Sequence, residues 1–281
     1  MKKGQDTRGY ERYLALDIHR EYLLAGGWNE EKKWVLTPRR VGIDKFSEWA
    51  KQNIRPGDIV VLETTTNVWT IYDIVVSLAS RVLVANAAEV GEIAGARVKT
   101  DKEDIKRLLK LLVGGIVPEV WVPPLDVREL RAFISYRARL VTTATMIRNR
   151  LQSLLHKHNL MLSEKGLLDE AWWQRQLISG LEKMQIQQEL SLLQEVEKRK
   201  GSVDEELERQ STGSTWGKQA LQIMQLPGIG FVVAMTVLSA IGDISRFENA
   251  KQLASVPPPP LKVFISFPYL TGPPSIIVEG V

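Results

Sequence analysis

The chain has 281 residues, of which 44% are hydrophobic and 25% are charged, and its formal net charge is +4 at pH 7. This composition excludes a chain that is disordered throughout, and the absence of cysteine excludes disulfide frameworks and thiolate zinc sites. Because there are only three histidines, a metal ion would be held mainly by carboxylates, which suit Mg²⁺ or Mn²⁺.

The start of the chain, MKKGQDTRGYERY, is polar and does not have the pattern of a signal peptide. The longest apolar run, FVVAMTVLSAI at 231–241, falls short of the ~20 residues that span a bilayer. We therefore expect a soluble, cytoplasmic protein that does not enter a membrane.

Residues 10–125 alternate between strand-like and helix-like segments, which is typical of an α/β domain. The predicted strands are the apolar runs YLALDI, KWVLTP, DIVVLETT and RVLVANA. Between them, IDKFSEWAKQN and VWTIYDIVVSLAS have apolar residues at helical spacing.

Residues 126–212 are predicted to form a connector of two long helices. Apolar residues in 126–160 lie close to heptad spacing, interrupted by Arg137, and residues 170–209 continue helical with many charges. This pattern is typical of either an antiparallel helical pair or a dimerising coiled coil. The second alternative would make the protein a homo-oligomer, a dimer or a tetramer.

Residues 213–281 are predicted to form a small, mostly α C-terminal domain with a LPGIG turn between its first two helices. In a helix-hairpin-helix, glycines such as Gly228 and Gly230 let backbone N–H groups approach a phosphate at a helix N-terminus. A plain turn between helices is the alternative. Beyond Ser255 the sequence becomes rich in proline and does not obviously continue this domain.

The stretch VKTDKEDIKRLLKLL at 98–112 places Asp101 and Asp104 on one face of a predicted helix. Thr100 and Glu103 fit a capping box, and Asp101 suits the positive end of the helix dipole. A helix start therefore explains Asp101, but it does not explain Asp104.

Two further acids, Asp17 and Glu63, stand at the ends of apolar strands. An ionised carboxylate there costs free energy unless it is paired or bound to a cation. With Asp101 and Asp104 they form a four-acid set of the kind that two-metal phosphoryl-transfer sites need, in which the metals sit ~4 Å apart. Taken singly, each strand-end acid is equally well explained as a turn residue.

Positive charge is concentrated in residues 128–157, which contain seven Lys or Arg and one acid. This excess favours contact with a phosphate backbone over an ordinary solvated helix face. The candidate nucleic-acid contacts are Lys99, Lys102, Arg131, Arg139, Arg148 and Arg150.

Several segments occur in the order and spacing of one known family: LALDIHR, VLETT, VANAAEV, KTDKEDIKRLLKLL and LPGIGFVVAMTVLSAIGDISRFENAKQLAS. From about residue 13 to 255 the chain resembles the DEDD-type bacterial insertion-sequence transposases, which include pilin-gene DNA invertases. The resemblance implies a RuvC-like (ribonuclease H-like) N-terminal domain with a Mg²⁺-dependent acidic tetrad at Asp17, Glu63, Asp101 and Asp104. It also implies DNA cleavage and strand exchange directed by a structured guide RNA.

In that family the C-terminal domain carries a Ser-Gly motif whose serine is proposed as a nucleophile towards DNA. Ser266 is nearest in register, and Phe267 follows it where the family has glycine. The resemblance thus predicts a transposase or site-specific recombinase with Ser266 as candidate nucleophile. The alternatives are an inactive or truncated transposase that only binds DNA or RNA and oligomerises, and a RuvC-like nuclease that uses metal-activated water.

Overall fold

The computed structural model describes residues 6–7, 9–94, 101–163, 166–176, 178 and 180–254. The chain divides into two compact units between Val122 and Pro123. Within the described ranges, no helix is both long enough and apolar enough to cross a membrane.

The first unit is built on a five-stranded mixed sheet with the strand order β3-β2-β1-β4-β5. Its strands are β1 Tyr13–Ile18, β2 Tyr22–Trp28, β3 Trp34–Gly42, β4 Ile59–Glu63 and β5 Arg81–Ala85. Strand β2 is antiparallel to both of its neighbours, β1 and β3, whereas β4 and β5 run parallel to β1. Strand β1 is therefore the central strand, where the two modes of pairing meet.

Helices cover both faces of this sheet. Helices α1 (Phe46–Asn53) and α2 (Val68–Val75) pack on one face, and α4 (Asp101–Val113) packs on the other, where Val90 of α3 (Ala87–Ala94) also lies. Parallel strands that are covered on both sides are apolar along their whole length. This explains the unbroken apolar runs of β1 and β4.

The four predicted strands are confirmed, but β2 was not predicted. Its sequence, YLLAGGW, lacks the polar–apolar alternation of a half-buried strand because nearly every residue of β2 is buried. Its two central glycines also have low strand propensity.

The second unit is dominated by two long helices, α5 (Leu125–Lys157) and α7 (Gly180–Thr212), which pack against each other. Arg137 near the middle of α5 pairs with Asp204 of α7, and Lys157 at its end pairs with Glu182 near the start of α7. The helices therefore run antiparallel within one chain. Of the two alternatives for this connector, the intramolecular helical pair is the one observed, and Arg137 crosses the seam as one half of an ion pair.

The predicted continuous helix over 170–209 is wrong. Helix α6 (Glu170–Gln174) ends before α7 begins at Gly180, whose φ of +66° lies in the left-handed region that glycine tolerates. The Asp169 side chain caps α6 by accepting a hydrogen bond from the Trp172 N–H.

Three further helices complete the described part of this unit: α8 (Gly217–Met224), α9 (Phe231–Ile241) and α10 (Ala250–Ala254). Helix α9 packs against both α5 and α7, and α8 packs against α7 and α9. Buried side chains of α9, among them Ala234, Met235 and Leu238, form its contact face.

Candidate functional site

Asp17 and Glu63 lie on neighbouring parallel strands at their carboxyl ends. The register pairs Leu16 of β1 with Leu62 of β4, so Asp17 and Glu63 are the next residues along this pair of strands. Because side chains alternate between faces, both acids lie on the sheet face that α4 covers, which also carries Ala15 and Val61. Asp17 is 9% exposed, while Glu63 is half-buried.

Helix α4 brings the other predicted acids to this same face. Ile105, Leu108 and Leu112 are buried against the sheet, and Asp104 directly precedes Ile105. Asp101 is the first residue of α4, but its side chain lies outside the described residues. The structure thus places three of the four predicted acids on one side of the sheet.

The carboxylate of Asp104 has an unsatisfied buried oxygen. Its Oδ1 lies 3.1 Å from an Arg107 guanidinium nitrogen, yet this buried oxygen accepts no hydrogen bond from the described residues. The ion-pair distance therefore does not correspond to a well-aligned hydrogen bond. Arg107 thus compensates the charge of this carboxylate without saturating its oxygen, which can still act as a ligand.

Asp17 has a histidine neighbour. His19 Nε2 lies 3.2 Å from Asp17 Oδ2, and the His19 ring stacks on Tyr22 with a centroid distance of 4.5 Å and an interplanar angle of 27°. His19 follows β1 directly. Its backbone N–H donates a hydrogen bond to the Tyr22 carbonyl, which closes the turn into β2. The imidazole therefore stands beside a predicted metal ligand.

Among the described side chains, no three Asp, Glu or His residues are grouped closely enough to hold a metal ion. The Asp101 side chain is not among them. The metal centre thus stays a prediction from the sequence, and its described members contribute oxygen donors of the type that Mg²⁺ prefers.

The predicted phosphate contacts on α5 have partners inside the protein. Arg148 bonds to Glu197 at 2.5 Å and Arg150 bonds to Glu189 at 3.3 Å, both across the α5–α7 pair. Acids of α7 therefore compensate part of the positive charge of α5.

Arg131 holds the end of α9. Its Nε and one terminal nitrogen donate to the carbonyls of Ser239 and Ala240, at 2.6 and 3.0 Å. Arg246 donates to the Ile241 carbonyl at 3.1 Å, so two guanidinium groups satisfy carbonyls that a helix end leaves without partners. Burial lowers the pKa of Arg131, and the nearby charge of Arg246 lowers it further.

Arg139 is exposed, and unlike Arg148 and Arg150 it makes no ion pair with a described residue. Its guanidinium carbon lies 5.7 Å from the centroid of the Tyr136 ring. Lys102 in the first turn of α4 is exposed as well. Of the predicted basic contacts that the structure describes, Arg139 and Lys102 are exposed and have no ion-pair partner among the described residues, as a phosphate contact requires.

The LPGIG turn connects α8 to α9. Gly228 has a φ of +82°, whereas Gly230 has a φ of −91° and precedes the first residue of α9. Both glycines are exposed, and no side chain caps the N-terminus of α9. The first N–H groups of this helix are therefore accessible in the way that a phosphate site needs.

Two predicted site residues, Lys99 and Ser266, lie outside the described residues. Tyr22, whose ring stacks on His19, and Arg40, whose guanidinium lies over Tyr22, were not predicted because β2 was missing from the predicted sheet. The apolar run YLLAGGW is the signal that could have indicated a buried strand here, and with it Tyr22.

Residues 220–256 match the family model described as "Transposase IS116/IS110/IS902 family". This segment includes the LPGIG turn and α9. Over this segment the chain is similar to the IS116/IS110/IS902 transposases.

Two curated proteins agree with this match. A protein of Sinorhizobium fredii (strain NBRC 101917 / NGR234), provisionally named transposase y4qE, is 25% identical over 183 residues, which are 65% of this chain and 45% of that protein. The transposase for insertion sequence element IS1111A of Coxiella burnetii is 21% identical over 164 residues, or 56% of this chain and 44% of that protein. Each match spans less than half the length of the relative.

Proposed function

We propose that this protein is a DNA transposase that cleaves and exchanges DNA strands with a RuvC-like, DEDD-type acidic site. The observation that carries the proposal is the placement of Asp17 and Glu63 side by side on parallel strand ends, on the face that α4 covers with Asp104. The match of residues 220–256 to a transposase family supports it.

The residues present fit a divalent cation. The proposed ligands Asp17, Glu63, Asp101 and Asp104 are all carboxylates, which is the donor set for Mg²⁺ or Mn²⁺. Asp104 Oδ1, which lies 3.1 Å from an Arg107 nitrogen but accepts no hydrogen bond from the described residues, supports Asp104 as an oxygen ligand. When bound, such ions would activate the attacking oxygen and stabilise the leaving one.

The chain's own residues hold these acids in place, because the apolar side chains of α4 pack directly against the sheet. Ile105 and Leu108 fix α4 on the sheet, and the buried strands fix Asp17 and Glu63. Rigid elements of this kind position catalytic groups better than loops do.

The nucleophile and the guide RNA are proposed from the family resemblance, whereas the nucleic-acid contacts and the homo-oligomer are proposed from the charge, turn and heptad patterns of the sequence. Ser266 would attack a DNA phosphate and form a covalent link, and a structured RNA would select the target. Lys102, Arg139, Gly228 and Gly230 would contact the nucleic-acid backbone, and the protein would act as a homo-oligomer.

Cleavage of supercoiled plasmid DNA in Mn²⁺ tests the acidic site. We expect Asp104→Asn to abolish cleavage, because an amide cannot supply the anionic oxygen, while Asp73→Asn cleaves like the unmodified protein. Asp73 is a suitable control because it is an exposed aspartate of α2, which packs on the opposite face of the sheet. Undiminished cleavage by Asp104→Asn would overturn the assignment.

The same reactions test the nucleophile. A transposase using Ser266 forms a covalent DNA–protein adduct that disappears in Ser266→Ala. Cleavage without any adduct would instead identify a RuvC-like nuclease, and salt-dependent binding without cleavage would identify an inactive nucleic-acid-binding protein.

A further inference from the structure

A row of paired residues crosses the sheet from the candidate site to its edge. Asp17 of β1 pairs with Leu24 of β2, and Leu24 pairs with Arg40 of β3. Directly paired residues lie on the same face, so Arg40 lies on the α4 side with Asp17. With neighbouring strands ~4.8 Å apart, the two Cα atoms are about 10 Å apart.

Arg40 is held by an aromatic stack that leads back to Asp17. Its guanidinium carbon lies 3.5 Å from the centroid of the Tyr22 ring. Tyr22 in turn stacks on His19, whose Nε2 lies 3.2 Å from Asp17 Oδ2. A guanidinium over an aromatic face is attracted to the ring, and its N–H groups keep pointing outward in its own plane.

Arg40 is exposed, and no carboxylate of the described residues lies within ion-pair distance of it. Arg107, Arg148 and Arg150 each have an acidic partner, so the charge of Arg40 differs from theirs in being uncompensated. A guanidinium that is oriented but not paired is suited to phosphate, which it can bind through two parallel hydrogen bonds.

We propose that Arg40 binds a phosphate of the DNA strand that enters the carboxylate site, and that Tyr22 orients it. This inference rests on the proposed function, whose site it extends towards β3. Successive phosphates of one strand advance ~3.4 Å along the helix axis, so a span of about 10 Å places the bound phosphate within about three nucleotides of the one at Asp17.

The test is binding of the full chain to a short labelled DNA duplex of random sequence, in EDTA and over a range of salt concentrations. Arg40→Gln should weaken binding about five- to tenfold and reduce the salt slope by about one. Arg39→Gln is the matched control, because Arg39 is the adjacent exposed residue of β3 but pairs with Ala25 on the opposite face. It should bind within about twofold of the unmodified protein.

Two variants test the stack. Tyr22→Phe keeps the ring and should bind normally, whereas Tyr22→Leu should bind about threefold more weakly, since the guanidinium loses its platform. Equal thermal unfolding midpoints establish that each variant is folded. Full affinity in Tyr22→Leu would overturn the role of the stack.

Equal affinities of Arg40→Gln and Arg39→Gln would overturn the role of Arg40. Because EDTA removes divalent cations, this readout does not depend on the metal centre or on cleavage. Absence of DNA binding by the unmodified protein would instead contradict the proposed function itself, so the two failures are distinguishable.

Discussion

Ile105 of α4 lies against Gly26 of β2 so closely that a Cβ added at Gly26 would come within 2.7 Å of Ile105 Cγ2. Gly26 pairs with Ala15, two residues before Asp17 on β1, and Asp104 precedes Ile105. The absence of a side chain at Gly26 therefore sets how closely Asp104 on α4 approaches Asp17 and Glu63 on the strands.

We predict that Gly26→Ala pushes α4 from the sheet, lowers the free energy of unfolding by about 1–3 kcal/mol and abolishes metal-dependent cleavage. Urea denaturation and the plasmid assay measure the two effects. Gly91→Ala is the control, since Gly91 is in α3 with nothing within 4 Å of an added Cβ. That change should stabilise the protein by about 0.5–1 kcal/mol, and normal cleavage by Gly26→Ala would contradict the account of α4.

The second prediction concerns the two arginines of α5 that differ in environment. Arg131→Met removes two charge-assisted hydrogen bonds to the end of α9 and should lower the free energy of unfolding by about 2–4 kcal/mol. Arg139→Met, at an exposed position on the same helix, should change it by less than about 0.5 kcal/mol. Denaturant titrations of both variants make the comparison, and equal losses would show that Arg131 has no special role in holding α9.

The third prediction concerns acid sensitivity of the helical pair. Burial raises the pKa of Glu197, but Lys200 and Arg148 together lower it below its ordinary value. A lowered pKa in the folded state means that the stabilisation is present above the ordinary glutamate pKa and is lost as the pH falls below it. Glu197→Gln should therefore be less stable than the unmodified protein near neutral pH, and this difference in stability should shrink as the pH falls below the ordinary glutamate pKa.

Thermal unfolding at a series of pH values measures this gap. Glu205→Gln is the matched control, because Glu205 is an exposed residue of α7 with no ion pair among the described residues. Its unfolding midpoints should follow those of the unmodified protein at every pH. A gap for Glu197→Gln that stays constant from neutral to acid pH would rule out the ion pairs as its cause.

The fourth prediction separates two glycines of LPGIG. Gly228 has a positive φ, so Gly228→Ala should lower the free energy of unfolding by about 1 kcal/mol. Gly230 has an ordinary φ and open space around it, so Gly230→Ala should leave stability nearly unchanged. If a phosphate binds to the backbone at Gly230, Gly230→Ala weakens DNA binding although it does not change stability. Unchanged DNA affinity would identify the turn as a plain connector between helices.

The sequence was sufficient for those parts of the site that depend on local pattern. Asp17 and Glu63 end apolar runs that could only be buried strands, and the helical spacing of α4 places Asp104 beside the residues that face the sheet. The heptad-like spacing of α5 likewise predicts a long helix with one buried stripe.

Features that depend on distant partners could not be predicted in this way. Arg131 contacts carbonyls more than 100 residues along the chain, and Arg148 pairs with Glu197 on another helix. Nothing in the local sequence distinguishes these two arginines from the exposed Arg139. The Arg40–Tyr22 stack was missed for a related reason, since its geometry depends on the pairing of β2 with β3.

The central claim is that the four acids hold a divalent cation beside DNA. Its most direct test is calorimetric titration of Mn²⁺ into the full chain in the presence of duplex DNA, with Asp17→Asn and Asp73→Asn in parallel. We predict that Mn²⁺ binds to the unmodified protein and to Asp73→Asn, and that Asp17→Asn loses this binding. Unchanged Mn²⁺ binding in Asp17→Asn, or no binding by the unmodified protein, would contradict the claim.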